Sequence, residues 1–398
     1  MAASIRQPSS KMNRIAYFLL LLLTAQGLWA NDPEAEIPFQ IINEHIFFKL
    51  SVNGGEPLDF VFDTGAAGNV MDEQTAKVLG LEMNGSQVVQ GASGSTSIER
   101  TTGHEMQVEG IDLRGIDFMV MDLGHLADED APIDGIVGAS ILNRYTVELN
   151  YDEHVIKLYK KRTYEPDESW EKQRMSLQGF GIPIVSATIT LPSGETLEGP
   201  YLVDTGAATT VKFNTPFVNG NGLIDKMGKH YAYSSQTLSK TATDEVSKLS
   251  SYEVFGHKFE DFAVRLSQGT RGVSALTQVD GILGLSILKR FNTVYDYYNQ
   301  VMYLQPSKYY EERFHINHDG MKIEKKNGAF EVTAVFDGSV AEEQGIKNGD
   351  IILSLDGDSD FTRHSFHHYI EKAQKAVSIQ LRREGKVITL SLEPRSML

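Results

Sequence analysis

Two aspartates with matching neighbours are the residues of this chain best suited to chemistry. Asp63-Thr64-Gly65-Ala66 follows the apolar run Phe60-Val61-Phe62, and Asp204-Thr205-Gly206-Ala207 follows Tyr201-Leu202-Val203. Two carboxylates held close together cannot both ionise, so the pair shares one proton and offers a base and an acid together. Such a pair can deprotonate a water and protonate an amide carbonyl without a metal or a covalent intermediate. The sequence therefore predicts that Asp63 and Asp204 face each other.

The residues that follow each aspartate can hold its carboxylate and its loop in place. Thr64 and Thr205 can hydrogen-bond to the backbone of the opposite half of the molecule. Gly65 and Gly206 allow a tight turn and leave amide N–H groups free for the carboxylates. We therefore expect these four residues to shape the two aspartate loops.

A second motif is also present twice, in the same order along the chain. Asp134 to Leu142 matches Asp280 to Leu288, and both contain Gly-apolar-apolar-Gly. Glycine lets one backbone pass close to another, so Ile136-Val137 and Ile282-Leu283 are predicted to lie behind the aspartate loops. The repeat is far too long for a solenoid and indicates a duplicated lobe.

Short strands separated by turns fill both halves, which predicts a mainly β structure. Ile41 to Val52 reads as one strand, Asn53-Gly54-Gly55 as a turn, and Leu58 to Phe62 as the strand before the first aspartate. In the second half, Ile182 to Leu191 reads as a strand. Lys160 to Lys172 is charged and lacks apolar periodicity, which is typical of a linker.

Composition excludes several classes of function. The formal net charge of -16 argues against a nucleic-acid partner, which would require clustered Lys and Arg. The absence of cysteine excludes disulfides, thiolate zinc sites and a thiol nucleophile.

The N-terminal segment has the order of a secretory signal. Lys11 and Arg14 precede the apolar run Ile15 to Leu23, and the small Ala30 stands before a polar stretch. The run is shorter than the roughly 20 residues that span a bilayer. We expect cleavage near Ala30 and an exported, periplasmic or secreted protein, with an uncleaved membrane anchor as the alternative. Met1 and Met12 both remain possible starts.

Taken together, the duplicated motifs resemble the signature of the aspartic proteases, an apolar strand ending in Asp-Thr-Gly with a later apolar-apolar-Gly. The resemblance implies a bilobal β-barrel fold with a substrate cleft between the lobes and a hairpin flap over it. It makes Asp63 and Asp204 the catalytic pair. The lobe length is similar to that of the retroviral-type enzymes, but both copies lie on one chain. An active monomer without cofactor or metal is therefore expected.

The flap is matched less closely than the aspartates. The Gly- and Ser-rich stretch containing Gly91, Ala92, Ser93 and Gly94 lies where a flap tip would be, and an ordinary hairpin loop is the alternative. It lacks the tyrosine of the pepsin-type flap. Tyr231-Ala232-Tyr233-Ser234 occupies the comparable place in the second half, so either lobe could supply an aromatic lid.

Alanine at positions 66 and 207 is a second departure from pepsin-like enzymes, which often carry a hydroxyl there. Without that donor the protonated pair should persist to higher pH. The sequence therefore predicts a mildly acidic to neutral optimum.

The last segment resembles a PDZ domain over residues 315 to 394. The most specific motif is Ser339-Val340-Ala341 with Gly345 to Gly357. Ser339 begins a capping box. After this motif, Thr362 to Ala376 reads as a helix and Val377 to Leu392 as a hairpin. The resemblance implies capture of a peptide end at a sheet edge. Gly320, Met321 and Ile323 are the candidate peptide-binding residues, although their stretch departs from the usual Gly-apolar-Gly-apolar text. A purely structural cap is the alternative.

Metal sites are not favoured. His364, His367 and His368 have spacings that could bind a metal, but a solvated helix face is the preferred interpretation, and a place in the peptide groove is a further option. Asp319-Gly320 and Asp356-Gly357-Asp358 lack the full ligand spacing of a calcium loop.

These observations divide the chain into five parts: a signal peptide (1–30), an N-terminal protease lobe (31–160), a linker (161–174), a C-terminal protease lobe (175–306) and a small α+β PDZ-like domain (307–398). We interpret the protein as an exported aspartic endopeptidase acting on proteins or peptides, with a PDZ module that selects substrates or regulates activity and that could bind a C-terminal peptide. The alternative is a catalytically silent scaffold that binds peptides in the same cleft and groove.

Overall fold

The computed structural model describes residues 32–91, 94–127, 131–179, 181–237 and 240–398, with side chains for all of these except 87–96 and 235–242. The predicted signal segment lies outside the described residues. The described chain is mainly β, which confirms the predicted fold class. Among these residues no helix has the length and apolar character needed to cross a membrane.

The described residues of the first lobe form ten strands and two short helices. They are β1 (Ala35–Ile42), β2 (His45–Val52), β3 (Leu58–Phe62), β4 (Asn69–Asp72), α1 (Glu73–Val78), β5 (Gly85–Gly91), β6 (Gly94–Val108), β7 (Ile111–Met121), β8 (Gly135–Val137), α2 (Ala139–Leu142), β9 (Tyr145–Asn150) and β10 (Val155–Lys160). The single strand predicted from Ile41 to Val52 is wrong. Asn43 and Glu44 adopt left-handed backbone conformations, with φ of 52° and 61°, and turn the chain so that β1 and β2 form a hairpin.

The second lobe repeats this plan. Its elements are β11 (Glu171–Arg174), β12 (Ser176–Gln178), β13 (Ile182–Thr190), β14 (Thr196–Val203), β15 (Val211–Phe213), α3 (Thr215–Asn221), α4 (Leu223–Lys226), β16 (His230–Thr237), β17 (Lys240–Leu249), β18 (Ser251–Val254), β19 (His257–Phe259), β20 (Phe262–Ser267), a 3₁₀ turn (Gly272–Ala275), β21 (Gly281–Leu283), α5 (Leu285–Leu288), β22 (Phe291–Asp296) and β23 (Val301–Pro306). Strand β11 forms the end of the predicted linker, so that part is not an irregular connection.

Parallel pairing joins the two motifs within each lobe. Strand β3, which leads to Asp63, pairs in parallel with β8, and β14, which leads to Asp204, pairs in parallel with β21. On their other sides β8 and β21 pair with β4 and β15. Each aspartate strand therefore has the Gly-apolar-apolar-Gly strand directly beside it, as the duplicated spacing predicts.

A sheet shared by both lobes connects them. Its order is β11-β23-β22-β9-β10-β1, and β9 of the first lobe pairs with β22 of the second, Val147 opposite Tyr295. Both residues are fully buried. Because burial of apolar side chains is the main stabilising term in folding, this shared sheet holds the lobes in one body.

The C-terminal module has its own five-stranded sheet and its own core. Its elements are β24 (Met321–Lys326), β25 (Ala329–Val335), α6 (Val340–Glu343), β26 (Ile351–Leu355), α7 (Arg363–Lys372), β27 (Val377–Arg383) and β28 (Lys386–Leu392). The strands are ordered as numbered, so β24 and β28 are the edges. Helix α7 ends before the predicted Ala376, because Ala373 is already extended.

Ser339 caps α6 as predicted, with its side chain accepting the Glu342 N–H. In a capping box the Glu342 side chain would in turn accept the Ser339 N–H, but it does not do so here. The Glu342 carboxylate accepts the Gly338 N–H at 2.7 Å. The cap therefore fixes the residue before Ser339, and with it the loop that follows β25.

Candidate active site

Each aspartate lies at the same point of its lobe, one residue beyond a fully buried strand end. Phe62 and Val203 are completely buried. The Asp63 N–H donates to the Val137 carbonyl at 2.9 Å, and the Asp204 N–H donates to the Leu283 carbonyl at 3.0 Å. The apolar strands therefore anchor both aspartates on the neighbouring motif strands.

The two carboxylates face each other across the lobe boundary. A Cβ added to Gly65 would lie 2.6 Å from Asp204 Cγ, and one added to Gly206 would lie 2.5 Å from Asp63 Oδ2. Each motif glycine thus backs the carboxylate of the other lobe. The Gly65 N–H donates to Asp63 Oδ1 at 2.7 Å and the Gly206 N–H to Asp204 Oδ1 at 2.9 Å. The structure brings together the predicted pair and both predicted glycines.

Burial and mutual repulsion determine the charge state of this pair. Burial raises the pKa of Asp63. Burial, and then the negative charge of Asp63, raises the pKa of Asp204 well above that of an ordinary carboxyl. The side chains hydrogen-bond to each other, and the proton belongs to the pair rather than to either residue. One proton is therefore held to higher pH than an isolated carboxyl would hold it.

The two threonines lock the loops together. The Thr64 N–H donates to Thr205 Oγ1 and the Thr205 N–H to Thr64 Oγ1, both at 3.0 Å. Each hydroxyl then donates to a strand of the opposite lobe, Thr64 to the Val203 carbonyl at 2.8 Å and Thr205 to the Phe62 carbonyl at 3.0 Å. Four buried hydrogen bonds therefore cross the boundary beside the carboxylates.

Replacing Thr205 with valine is expected to lower stability by about 1–3 kcal/mol, because the buried Thr64 N–H would lose its acceptor. Thr205→Ser is the matched control, since it keeps the hydroxyl. Denaturant unfolding followed by Trp170 fluorescence suits the measurement, because Trp170 packs on Val294 and Tyr303 of the shared sheet. A valine variant as stable as the serine variant would contradict the role assigned to these bonds.

Close backbone approach explains the second motif. A Cβ on Gly138 would overlap the Asp63 carbonyl oxygen, and a Cβ on Gly284 would lie 2.7 Å from the Ala207 carbonyl oxygen. Ile136 and Val137 are buried behind the first loop. The glycines let α2 and α5 begin directly against the aspartate loops.

Asp134, which begins the first copy of this motif, has a structural role that the sequence did not predict. Asp134 Oδ2 accepts the Asp59 N–H at 2.8 Å, and its Oδ1 accepts the Thr75 hydroxyl at 2.8 Å. In the second lobe Pro200 stands where Asp59 stands in the first and has no N–H to donate. Because Asp134 recurs as Asp280 in the second copy, the sequence did contain a sign that Asp134 has a structural role.

The predicted flap is a hairpin. Strands β5 and β6 are antiparallel, with Gly91 opposite Gly94 at its end. Ala92 and Ser93 lie outside the described residues. The assignment of this hairpin as the flap stays a prediction.

The corresponding hairpin of the second lobe, β16–β17, contacts the C-terminal module. The rings of Tyr231 and Tyr233 lie 5.3 and 5.6 Å from the ring of Phe336, which is buried after β25. The Arg265 guanidinium lies 4.7 Å from the Tyr233 ring. These tyrosines, considered from sequence as a possible lid, form a contact between the second lobe and the module. We call Tyr231, Tyr233 and Phe336 the aromatic contact.

The three candidate peptide-binding residues of the module lie at the start of its edge strand. Gly320 has a left-handed φ of 76°, and any Cβ there would overlap Ser339. The side chains of Met321 and Ile323 are buried in the module's core. A peptide would therefore meet Met321 and Ile323 through their backbone.

His367 does not belong to a solvated helix face, which corrects that interpretation for this residue. Its Nδ1 lies 2.6 Å from Asp319 Oδ2, and Asp319 is buried. Within the ranges described, no three His, Asp or Glu side chains converge as metal ligands would.

Comparison with known proteins supports two parts of the chain separately. Residues 48–141 match the family model of an aspartyl protease, and residues 320–393 match that of a PDZ domain. No curated protein matches the chain. The first match contains Asp63 and Asp134, and the second begins at Gly320. The chain therefore contains an aspartyl protease domain and a C-terminal PDZ domain.

Proposed function

We propose that this protein is an exported aspartic endopeptidase that hydrolyses internal peptide bonds of protein substrates with a water activated by Asp63 and Asp204. The observation that carries the proposal is the crossed geometry of the pair. One carboxylate comes from each lobe, each is backed by the other lobe's glycine, and burial makes them share a proton.

The reaction needs only the chain's own groups and a water. The ionised carboxylate takes a proton from the water, whose oxygen attacks the amide carbon. The protonated carboxyl donates its proton to the carbonyl oxygen, which forms a neutral tetrahedral intermediate. Proton transfer to the amide nitrogen then breaks the C–N bond and releases the two fragments. General acid–base assistance of this kind contributes about 10²–10⁴-fold to a rate.

Both carboxylates lie on one chain, so we propose that a monomer suffices for activity. Export is proposed from the order of Lys11, Ile15 to Leu23 and Ala30. The PDZ domain is proposed to select substrates or regulate the peptidase, and its contact with the β16–β17 hairpin supports a link between the two. The rival function is a silent scaffold that binds peptides in the cleft.

Digestion of an unfolded protein by the purified full-length chain distinguishes these functions. Sequencing of the products should show internal cuts. A statine-type transition-state mimic should inhibit cleavage, and the amount of mimic needed should rise in proportion to the amount of enzyme. Peptide binding without new chain ends at any pH would favour the scaffold.

The cleavage rate is expected to be greatest at mildly acidic to neutral pH. It should fall as pH rises through the raised pKa of the pair, because the shared proton is then lost, and it should fall in acid when both carboxyls are protonated. Alanine at position 66 supplies an amide donor to Asp63 but no hydroxyl. Ala66→Ser should therefore favour the ionised form and move the profile to lower pH. A wild-type maximum in strong acid would contradict this account.

A further inference from the structure

The loop that precedes β24 already uses amides that could bind a peptide's end. PDZ domains add an extended peptide to an edge strand, and a terminal carboxylate can be captured by clustered backbone N–H groups. Here the Gly320 N–H donates to Asn317 Oδ1 at 2.6 Å, and the Met321 N–H donates to Asp319 Oδ1 at 3.0 Å. Two amides at the predicted carboxylate position are therefore occupied by side chains of the same loop.

One of these side chains is itself a buried carboxylate. Asp319 is 1% exposed. Burial alone would raise its pKa, but the charge and hydrogen bond of His367, the Met321 N–H and the charge of His315 outweigh burial and lower it. Asp319 is therefore ionised at neutral pH, and a negative charge stands where a ligand's carboxylate would arrive.

Helix α7 and the C-terminal residues hold the loop before β24 in place. His367 reaches Asp319, and one turn later Glu371 Oε2 lies 2.5 Å from His315 Nδ1. Behind the loop, the Arg395 N–H donates to the His318 carbonyl at 3.1 Å. Displacing Asp319 would leave a buried charge without its partners, which is strongly unfavourable.

The rest of the groove retains what an extended segment needs. Strand β24 is an edge of the sheet, and α7 packs beside it. Lys322 and Glu324 are partly exposed and pair with each other at 2.7 Å. Backbone pairing along an edge strand requires no charge at the end of the added segment.

We propose that the groove between β24 and α7 binds internal, extended segments of polypeptide and rejects free C-terminal carboxylates. A second carboxylate beside Asp319 would place like charges together away from water, and like-charge juxtaposition costs several kcal/mol. An internal segment brings only its amide backbone to this point. The partner is thus an unfolded or extended stretch within a longer chain. This inference concerns binding alone and does not require that Asp63 and Asp204 be active.

Paired peptides test the proposal. Overlapping fragments of an unfolded protein are made twice, with a free C-terminal carboxylate and with a carboxamide. Their binding to the full-length chain is measured with the statine-type mimic present to fill the cleft and prevent cleavage. Carboxamides should bind the wild-type chain at least as tightly as the matching acids. Asp319→Asn should shift the ratio toward the acids by about tenfold or more, equivalent to about 1.4 kcal/mol.

Two further variants test the charge of Asp319. His367→Gln removes the partner that contributes most to keeping Asp319 ionised, so the preference for carboxamides should weaken, as it does in Asp319→Asn. Glu384→Gln makes the same change of charge in the turn after β27, next to the opposite edge strand, and should leave the ratio unchanged. Tighter binding of free acids to the wild-type chain overturns the proposal, and so does binding of neither form. Cleavage that continues in the presence of the mimic would count against the water-activating aspartate pair, and the binding ratio is then measured with the folded, inactive Asp204→Asn variant.

Discussion

Asp204→Asn is expected to reduce peptide-bond cleavage by about 10³-fold or more while leaving the protein folded. Asparagine has the shape of aspartate and can still hydrogen-bond to Asp63, but it neither holds nor releases the proton that the pair shares. Loss of general acid–base assistance alone accounts for about 10²–10⁴-fold. The measurement is the initial rate on a defined peptide, together with the melting temperature.

The same variant should be more stable than the wild type at neutral pH. A carboxyl whose pKa is raised by folding contributes stability that is complete below its unfolded pKa and is lost as pH rises through the folded pKa. The pKa of Asp204 is raised well above the ordinary value, so the wild type carries this loss at neutral pH, whereas the asparagine variant does not. The difference in melting temperature should vanish below about pH 4. Equal stability at all pH values would show that the pair is not strained by burial and repulsion.

Gly206→Ala is expected to reduce activity by at least about 10²-fold, because a displacement of about 1 Å at a reacting group can have that effect. The new Cβ would lie 2.5 Å from Asp63 Oδ2. The backbone cannot move away easily, since the neighbouring Thr205 is held by buried bonds to Thr64 and Phe62. The carboxylate must therefore leave its partner, and overpacking of this kind costs about 1–3 kcal/mol of stability.

Gly220→Ala is the control for this substitution. Gly220 lies in α3 with no atom within 4 Å of the added Cβ. Activity should be unchanged, and stability should rise by up to about 1 kcal/mol from helix propensity. If Gly206→Ala were as active as Gly220→Ala, the crossed packing of glycine and carboxylate would not matter for catalysis.

Individual strands of this protein could be predicted from sequence because each is identified by a short run of neighbouring residues. The strand before Asp63 begins at Leu58 and ends at Phe62 as predicted, since an apolar run between turn residues identifies it. The turn at Asn43 and Glu44 was missed, because it uses two left-handed polar residues and no glycine. Duplication placed the carboxylates in equivalent positions, and their pairing followed from chemistry.

Contacts between distant elements were not readable in the same way. The pairing of β9 with β22 and the aromatic contact depend on how the parts pack, and no periodic pattern encodes either. His367 and Asp319 are 48 residues apart. Each alone suggested an ordinary surface residue or a fragment of a metal loop. Only the fold shows that the two side chains meet where β24 begins.

The four threonine bonds between the lobes also bear on the time at which the two carboxylates can first pair. Thr64 and Thr205 are 141 residues apart, and at about 5–20 residues per second a ribosome needs on the order of ten seconds to make that stretch. During this interval the nascent first lobe has Asp63 without Asp204, and Thr64 without Thr205. The shared sheet is completed later still, when β22 and β23 are made. The two carboxylates therefore cannot be held in their final arrangement until the chain has been made as far as β23.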